Sequence, residues 1–330
     1  MKDSLFLRKL ILNFPQQFLW GEKAVKKIRI NFPFEKLIFC GMGGSALCGE
    51  ILKLYFERRK IKSPILIHKD YGLPFGEGGN NFYFVISYSG NTEETISAFR
   101  EILKKKFKVI AISSGGKLEK IAKERGVAFV PLPKNLPPRF ALGYVFSVVF
   151  EILKKSKILR EKGKFYLKLA PEKLEKKGEE LAQKIKGKIP LVYSSRINFP
   201  LAKIWKINFN ENSKTPAFCN FFPELNHNEM QGFERFLKKF FLIFLKDRDD
   251  FTLNKKRMKL TLKLLEKRGG KGEFLELKEK NFLLKVFNNI LLSQWTSFYL
   301  AQLYKKDPGP VRLVEEFKKN LKKIKISAII

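Results

Sequence analysis

The sequence predicts an α/β protein made of two units, each a parallel β-sheet flanked by helices. In the first half, short apolar runs alternate with helical segments, a pattern typical of parallel strands joined by crossover helices. These runs are continuously hydrophobic, as expected for strands that are covered on both faces. The second half repeats the alternation, so we predict a second unit of the same class.

Five strands are predicted in the first half, after a helical lead-in. They lie at residues 37–40, 65–68, 82–87, 108–113 and 127–131. A buried helix is expected from Phe140 to about Lys155. The charged stretch that follows contains Pro171 and surface-type sequence, so we place a domain boundary there, with domains of residues 1–155 and 156–330. A chain of 330 residues with 45% hydrophobic content can give each domain its own core.

The second half shows apolar runs at 189–194, 217–222, 240–246 and 273–277. A helix is predicted over 200–212. A longer apolar helix is predicted over 281–304, and its three-to-four-residue periodicity indicates packing against a partner domain or subunit.

The turn after the third predicted strand has the composition of an anion site. Ser87, Ser89 and Thr92 offer hydroxyl donors, and Gly90 allows close approach of the backbone. Asn91 or Thr92 can cap a helix whose free N–H groups and positive dipole end favour an anion. No Walker-type loop is present, which argues against a nucleoside triphosphate. The turn therefore predicts a phosphate ligand, the alternative being a capped turn without one.

A second glycine-rich turn follows the first predicted strand and opens a helix at Gly44 and Ser45. The carboxyl ends of neighbouring parallel strands meet in one crevice, so Ser45 and the 87–92 turn can grip one phosphate together. The third glycine of a dinucleotide fingerprint is absent from its usual place.

The chain carries a net charge of +34 with a pI near 10.0, which raises nucleic-acid or acidic-membrane binding. The lysine-rich pieces, however, recur all along the chain and do not form one stripe. We therefore favour dispersed surface charge over a dedicated nucleic-acid patch. Nonspecific polyanion binding and steering of anionic substrates both stay open.

The cysteines and histidines give no metal motif. Cys40, Cys48 and Cys219 lack Cys-x-x-Cys spacing, so buried, reduced thiols are expected. His68 and His227 alone are too few for a histidine-based metal cluster. Apolar runs are too short to span a bilayer, and the start of the chain lacks the order of a signal peptide. A reducing cytoplasm is the expected compartment.

Five motifs occur together along the chain: Gly41-Met42-Gly43-Gly44-Ser45, Ser87-Tyr88-Ser89-Gly90-Asn91-Thr92-Glu93-Glu94, Pro137-Pro138-Arg139, Asn210-Glu211-Asn212-Ser213-Lys214 and Glu224-Leu225-Asn226-His227-Asn228-Glu229. In this order they resemble the bifunctional phosphoglucose/phosphomannose isomerases, over nearly the whole chain. The resemblance implies two sugar-isomerase (SIS) domains, a homodimer, and no metal or other cofactor.

The resemblance also implies the reaction, interconversion of an aldose 6-phosphate and fructose 6-phosphate through a cis-enediol. It makes Glu211 the base between C1 and C2, a task that suits a carboxylate. His227 matches the residue that opens the sugar ring, and Arg139 the cation that stabilises the enediolate. Lys318 is the best match to the lysine of the terminal helix that joins ring opening. The implied phosphate ligands are Gly44, Ser45, Ser87, Ser89 and Thr92.

Two questions stay open at this point. Homologues often carry Thr in place of Gly309, and a threonine there is tied to accepting mannose 6-phosphate, so the resemblance leaves two alternatives, an enzyme that uses this epimer and one that does not. The second question is whether the chain catalyses at all, since a non-catalytic SIS sugar-phosphate sensor would keep the hydroxyl-rich loop. The joint presence of Glu211 and His227 disfavours the sensor.

Overall fold

The computed structural model describes residues 2–30, 34–74, 79–161, 163 and 166–327. Within these residues the chain forms two parallel sheets with helices packed on their faces, so the predicted α/β class is confirmed. All the strand pairs in both sheets are parallel.

The first sheet has five strands in the order β2-β1-β3-β4-β5. They are β1 (Lys36–Cys40), β2 (Ile65–His68), β3 (Asn81–Ile86), β4 (Lys108–Ser113) and β5 (Phe129–Pro131). Every residue of β3 is buried, because the strand lies in the centre of the sheet with helices on both faces. The predicted strands are confirmed to within two residues at their ends.

Helices of the first half are α1 (Lys2–Leu12), α2 (Trp20–Ala24), α3 (Gly44–Arg59), α4 (Glu93–Lys104), α5 (Gly116–Glu124) and α6 (Leu142–Lys155). The predicted helix over 140–155 corresponds to α6, which is preceded by a 3₁₀ turn at Pro138–Phe140. The predicted domain boundary falls at the end of α6, before the next helix begins at Pro171. That boundary stays a prediction.

The second sheet has four strands in the order β7-β6-β8-β9. They are β6 (Ile189–Ser195), β7 (Phe218–Phe222), β8 (Phe240–Asp247) and β9 (Lys271–Leu277). Its helices are α7 (Pro171–Ile185), α8 (Phe199–Asn208), α9 (Thr252–Glu266), α10 (Phe282–Leu303) and α11 (Arg312–Ser327). The helix predicted over 200–212 is corrected in its last turn, since a π-helix at Phe209–Ser213 follows α8.

The aromatic core joins the two halves. Phe287 of α10 is fully buried, and its ring centroid lies 5.0 Å from that of Phe146 on α6 and 4.7 Å from that of Phe18. Phe14 also packs against Phe287, at 6.0 Å. The expected packing of this long helix against the other half of the chain is therefore confirmed.

The predicted burial of the thiols is confirmed for Cys40 and Cys48, whereas Cys219 is only partly buried. Burial raises the pKa of Cys40 to about 12. Among the described residues, no helix is both long and apolar enough to cross a membrane. In the same part of the chain, no three His, Cys, Asp or Glu side chains are grouped so that they could hold a metal ion.

Candidate active site

Two loops meet at the carboxyl ends of β1 and β3, which are neighbours in the first sheet. The first loop leads into α3 at Gly44, and the second runs from Ser87 to Thr92 before α4. The backbone N–H of Tyr88 donates to the Ser45 hydroxyl at 3.2 Å, so the two loops are in direct contact. The convergence predicted from parallel strands is present in the fold.

Gly90 is required by the close approach of two loops. Its φ is +67°, and a Cβ at this position would lie only 1.7 Å from the carbonyl oxygen of Gly115. Any larger residue would push the hydroxyl-bearing turn away from the loop that follows β4.

The Thr92 side chain does not cap α4, contrary to the prediction. Thr92 occupies the N-cap position, but its hydroxyl accepts a hydrogen bond from Ser87 at 2.9 Å. Asn91 bonds elsewhere, accepting from the backbone N–H of Lys117 at 3.1 Å. Thr92 therefore supplies no side-chain cap to the start of α4. Ser87 is buried, whereas the Ser89 side chain is exposed.

Arg139 lies beside the first of these loops. It is part of the 3₁₀ turn that follows Pro137, and only 5% of the residue is exposed. A Cβ on Gly44 would stand 3.7 Å from the Cα of Arg139, which places the start of α3 against this turn.

The guanidinium of Arg139 is held by four acceptors. Nη1 donates to Glu211 Oε2 at 3.1 Å, and Nε donates to Asn212 Oδ1. Nη2 donates to the carbonyls of Pro308 at 2.5 Å and Gly309 at 3.0 Å. Burial lowers the pKa of Arg139, and the Glu211 carboxylate opposes this effect. Because arginine starts from so high a pKa, the group stays cationic.

Glu211 is presented by the π-helix that follows α8. Its side chain is 36% exposed, so the carboxylate is partly buried but open to a ligand. Asn212 beside it is fully buried and donates to Ser297 of α10 at 2.8 Å. This bond fixes the amide whose oxygen receives Arg139. Single π-turns inserted in α-helices are frequent at functional sites.

Lys214 is a site residue that the sequence reasoning did not single out. Its Nζ donates to the carbonyls of Glu211 and of Pro310, the latter at 2.7 Å. Desolvation, together with the positive charge of Arg139, lowers the pKa of Lys214 to about 8. Its position three residues after Glu211 was the available signal.

A cavity of about 710 Å³ opens beside Glu211 and Lys214. Its other wall is formed by Pro310 and Val311, which precede α11, and by the first turn of that helix. The C-terminal helix therefore begins at this cavity.

His227 lies at the opposite end of β7 from Glu211. The π-helix with Glu211 precedes the amino end of the strand, and the 3₁₀ turn Glu224–His227 follows its carboxyl end. From Phe218 to Phe222 the strand advances roughly 13 Å. The imidazole is exposed and makes no hydrogen bond within the described part of the chain. One chain therefore does not bring His227 to Glu211.

Lys318 is likewise separate from the paired Arg139 and Glu211. It lies exposed on α11, beyond the turn that lines the cavity, and forms no ion pair with any described residue. His68, the last residue of β2, is hydrogen-bonded instead, since its Nε2 lies 2.9 Å from the carbonyl oxygen of Gly72.

The loop that carries His227 is anchored by Glu229. The Tyr193 hydroxyl donates to Glu229 Oε1 and the Asn220 amide to Oε2, both at 2.5 Å. Burial raises the pKa of the Tyr193 hydroxyl, so it remains a donor. The loop after β7 is thus pinned to the second sheet while the imidazole points outward.

Comparison with known proteins agrees with the geometry. Residues 174–321 match the bacterial phospho-glucose isomerase C-terminal SIS domain. A bifunctional phosphoglucose/phosphomannose isomerase of Aquifex aeolicus is 38% identical over 96% of this chain and 98% of its own length. The bifunctional phosphoglucose/phosphomannose isomerase of Caldicellulosiruptor bescii is 34% identical over the same shares.

A hypothetical protein of Thermus thermophilus shares the fold, with a TM-score of 0.70 at 16% identity over 97% of this chain and 90% of that one. At this identity the likeness concerns the fold alone. The family assignment is based on the two relatives above, which match nearly the full length of the chain at more than 30% identity. The chain therefore belongs to the bifunctional phosphoglucose/phosphomannose isomerase family of SIS-fold enzymes.

Proposed function

We propose that the enzyme interconverts glucose 6-phosphate and fructose 6-phosphate through a cis-enediol, without a metal or other cofactor. The observation that carries the proposal is the ion pair of Arg139 and Glu211, held at 3.1 Å beside the loops that end β1 and β3. A base, a fixed cation and an anion site are the parts that this isomerisation needs.

The phosphate site is proposed at the junction of the two loops. Gly44 allows the backbone to approach, and the hydroxyls of Ser45, Ser89 and Thr92 supply donors, with the buried Ser87 hydroxyl bonded to that of Thr92. The start of α4, where the Thr92 side chain makes no cap, adds a positive dipole end. The contact between Ser45 and Tyr88 supports a single site shared by both loops.

Glu211 is proposed as the base. It removes the proton from C2 of the open-chain aldose and returns it to C1, while the neighbouring oxygens exchange their proton. Negative charge develops on an enediolate oxygen, and the guanidinium of Arg139 lies beside the carboxylate to stabilise it. Since Arg139 is held by Asn212 and two carbonyls, it needs no reorientation during the reaction.

The ring-opening group is proposed to come from a second copy of the chain. His227 lies at the far end of β7 from its own Glu211, so the site is incomplete in one chain. The exposed apolar face of α11 supports a homodimer, since Leu313 is 80% and Phe317 63% exposed. Lys318 on the same helix keeps its proposed role in ring opening within that assembly.

Mannose 6-phosphate is proposed as a second, weaker substrate. Gly309 provides a carbonyl to Arg139 but no hydroxyl to the cavity. The names of the full-length relatives include phosphomannose isomerase, which supports including this epimer. The same relatives give no support to a non-catalytic sensor.

The proposal is tested by assaying both aldose phosphates in parallel, in the presence of a metal chelator, with detection of fructose 6-phosphate. We expect turnover of both, with glucose 6-phosphate the faster. Binding of either sugar phosphate without turnover would contradict the proposal. Turnover that disappears with the chelator and returns with added metal would contradict the metal-independent chemistry.

Weak nonspecific polyanion binding is proposed as a property of the surface. Helix α9 and the two residues after it contain one acidic side chain, Glu266, and seven basic ones: Lys255, Lys256, Arg257, Lys259, Lys263, Lys267 and Arg268. None of these seven forms an ion pair with a described residue. Binding to a DNA duplex should fall steeply with added salt, and binding that survives moderate salt would contradict this view.

We also propose the cytoplasm as the compartment, supported by the buried free thiols.

A further inference from the structure

The two sheets share one strand order, with β6 and β8 of the second sheet in the places of β1 and β3 of the first. In open sheets of this kind, ligands bind where the carboxyl ends of the two central strands diverge. The first sheet has its phosphate loops at that position. In the second sheet the equivalent crevice lies between the ends of β6 and β8.

That crevice is occupied by the protein's own charged side chains. Asp247, the last residue of β8, is fully buried. Its Oδ1 accepts from Lys285 Nζ at 2.5 Å and from the backbone N–H of Asp249 at 3.0 Å. Its Oδ2 accepts from Arg58 Nη2 at 3.0 Å and from Asn198 Nδ2 at 3.2 Å. Four donors satisfy both oxygens of the carboxylate, so its charge is compensated by groups of the protein itself.

Arg58 comes from the other half of the chain. It lies in the last turn of α3, the same helix whose first turn carries Gly44 and Ser45. Its Nη1 also donates to Asp249 at 3.0 Å, and its guanidinium lies 5.0 Å from the ring centroid of Phe282. The two ends of one helix thus meet the two equivalent crevices, about 20 Å apart at the rise of an α-helix.

A second ion pair ties the middle of α3 to the helix that leads to the base. Glu50 is buried, and Lys203 of α8 donates to it at 2.6 Å. The helix α8 runs directly into the π-helix that presents Glu211. The phosphate loop and the base are therefore linked through α3 and its charged contacts.

We propose that Arg58 is a positioning residue for the phosphate loop, acting through α3. Asp247, Asp249 and Lys285 form a charged cluster beside the second sheet, and this cluster fixes the C-terminal end of α3. Because α3 is rigid, the fixed end determines the position of Ser45 relative to Arg139. The inference rests on the proposed function, because it assigns Ser45 to phosphate binding.

The test compares Arg58→Met with the wild-type enzyme. We expect the KM for glucose 6-phosphate to rise about tenfold with kcat within about threefold, because phosphate contacts serve ground state and transition state alike. The calorimetric Kd for glucose 6-phosphate should rise by the same factor. Arg58→Lys keeps the positive charge, but a lysine cannot reproduce the pair of hydrogen bonds to Asp247 and Asp249. This variant should have a KM and a Kd between those of the wild type and Arg58→Met.

Arg8→Met is the matched control. Arg8 forms a two-bond ion pair with Glu175, at 2.7 and 2.8 Å, between α1 and α7 and away from α3. The Arg8→Met variant should have a lower melting temperature than the wild type, with unchanged KM and Kd for glucose 6-phosphate. An equal rise of Kd in Arg8→Met would overturn the proposal, as would an unchanged Kd in a folded Arg58→Met.

If Arg58→Met does not fold, Arg58→Lys alone decides, and a wild-type Kd in that variant would overturn the proposal. Failure of the proposed function looks different. In that case the wild-type enzyme binds glucose 6-phosphate without turnover, and the ratio of Kd values still tests Arg58. Normal turnover with unchanged Kd in Arg58→Met removes the positioning role and leaves the proposed isomerase function intact.

Discussion

Arg139 and Glu211 form an ion pair across 72 residues of sequence and across the two halves of the chain. The arginine is almost completely buried, and three of its other N–H groups donate to Asn212 and to the carbonyls that precede α11. Loss of Arg139 would therefore leave buried acceptors unpaired, whereas Glu211, with a side chain that is 36% exposed, can be changed at a smaller cost in stability.

Glu211→Gln is expected to lower kcat by about 10³-fold, because the amide cannot accept the proton from the sugar carbon. The substitution keeps the shape of the side chain and leaves the phosphate loops unchanged. The Kd for glucose 6-phosphate should therefore stay within a fewfold of the wild-type value. Glu124→Gln, on the surface at the end of α5, is the control and should have full activity. Full activity in Glu211→Gln would remove this residue from the role of base.

Two inactive variants should complement each other if His227 serves the partner's site. A heterodimer of a Glu211→Gln chain and a His227→Asn chain, purified through two different affinity tags, has one site with both substitutions and one with neither. We expect about half of the wild-type activity, as a two-fold symmetric dimer requires. If His227 acts in its own chain, both sites are damaged and the heterodimer is as inactive as the two parents.

Lys214 should make folding stability depend on pH in the alkaline range. Its pKa is lowered to about 8 in the folded protein, from 10.5 in the unfolded chain. Between these values the unfolded chain binds the proton and the folded protein does not, so this residue makes stability rise with pH from about 8 to 10.5. Lys214→Met should remove this contribution.

The measurement is the urea midpoint of unfolding for the wild type and for Lys214→Met, at about pH 7.5, 9 and 10.5 and at the same salt concentration. The difference between the two proteins should change in favour of the wild type as pH rises. A constant difference would mean that the amine titrates normally in the folded protein.

Phe287→Ala should destabilise the protein by about 3–5 kcal/mol, because it opens a cavity between α10 and the aromatic rings of the first half. Phe251→Ala makes the same change at a side chain that is 70% exposed, and should shift stability by no more than about 0.5 kcal/mol. Chemical denaturation of both variants provides the comparison. Equal effects would show that the ring contacts of Phe287 contribute little.

The local pattern of apolar and polar residues was enough to predict the fold class and the approximate ends of most helices and strands. Continuous apolar runs predicted β3 and β8 because buried parallel strands cannot alternate polar and apolar residues. The hydroxyl-rich turn around Gly90 was also predictable, since its composition follows from local backbone needs. The last turn of α8 was not predictable, because a π-helix differs from an α-helix in a single inserted residue.

The α/β class, the loops at Ser45 and Ser87, and the family motifs that contain Glu211 and His227 all follow from the order of amino acids. The pairing of Arg139 with Glu211, the desolvated position of Lys214 beside them and the contact of Arg58 with the second sheet became visible in the folded chain alone. The folded chain also places His227 and Glu211 at opposite ends of β7. Short-range pattern reports backbone conformation and burial, whereas these relations depend on how strands distant in sequence pair and on which helices cross between the sheets.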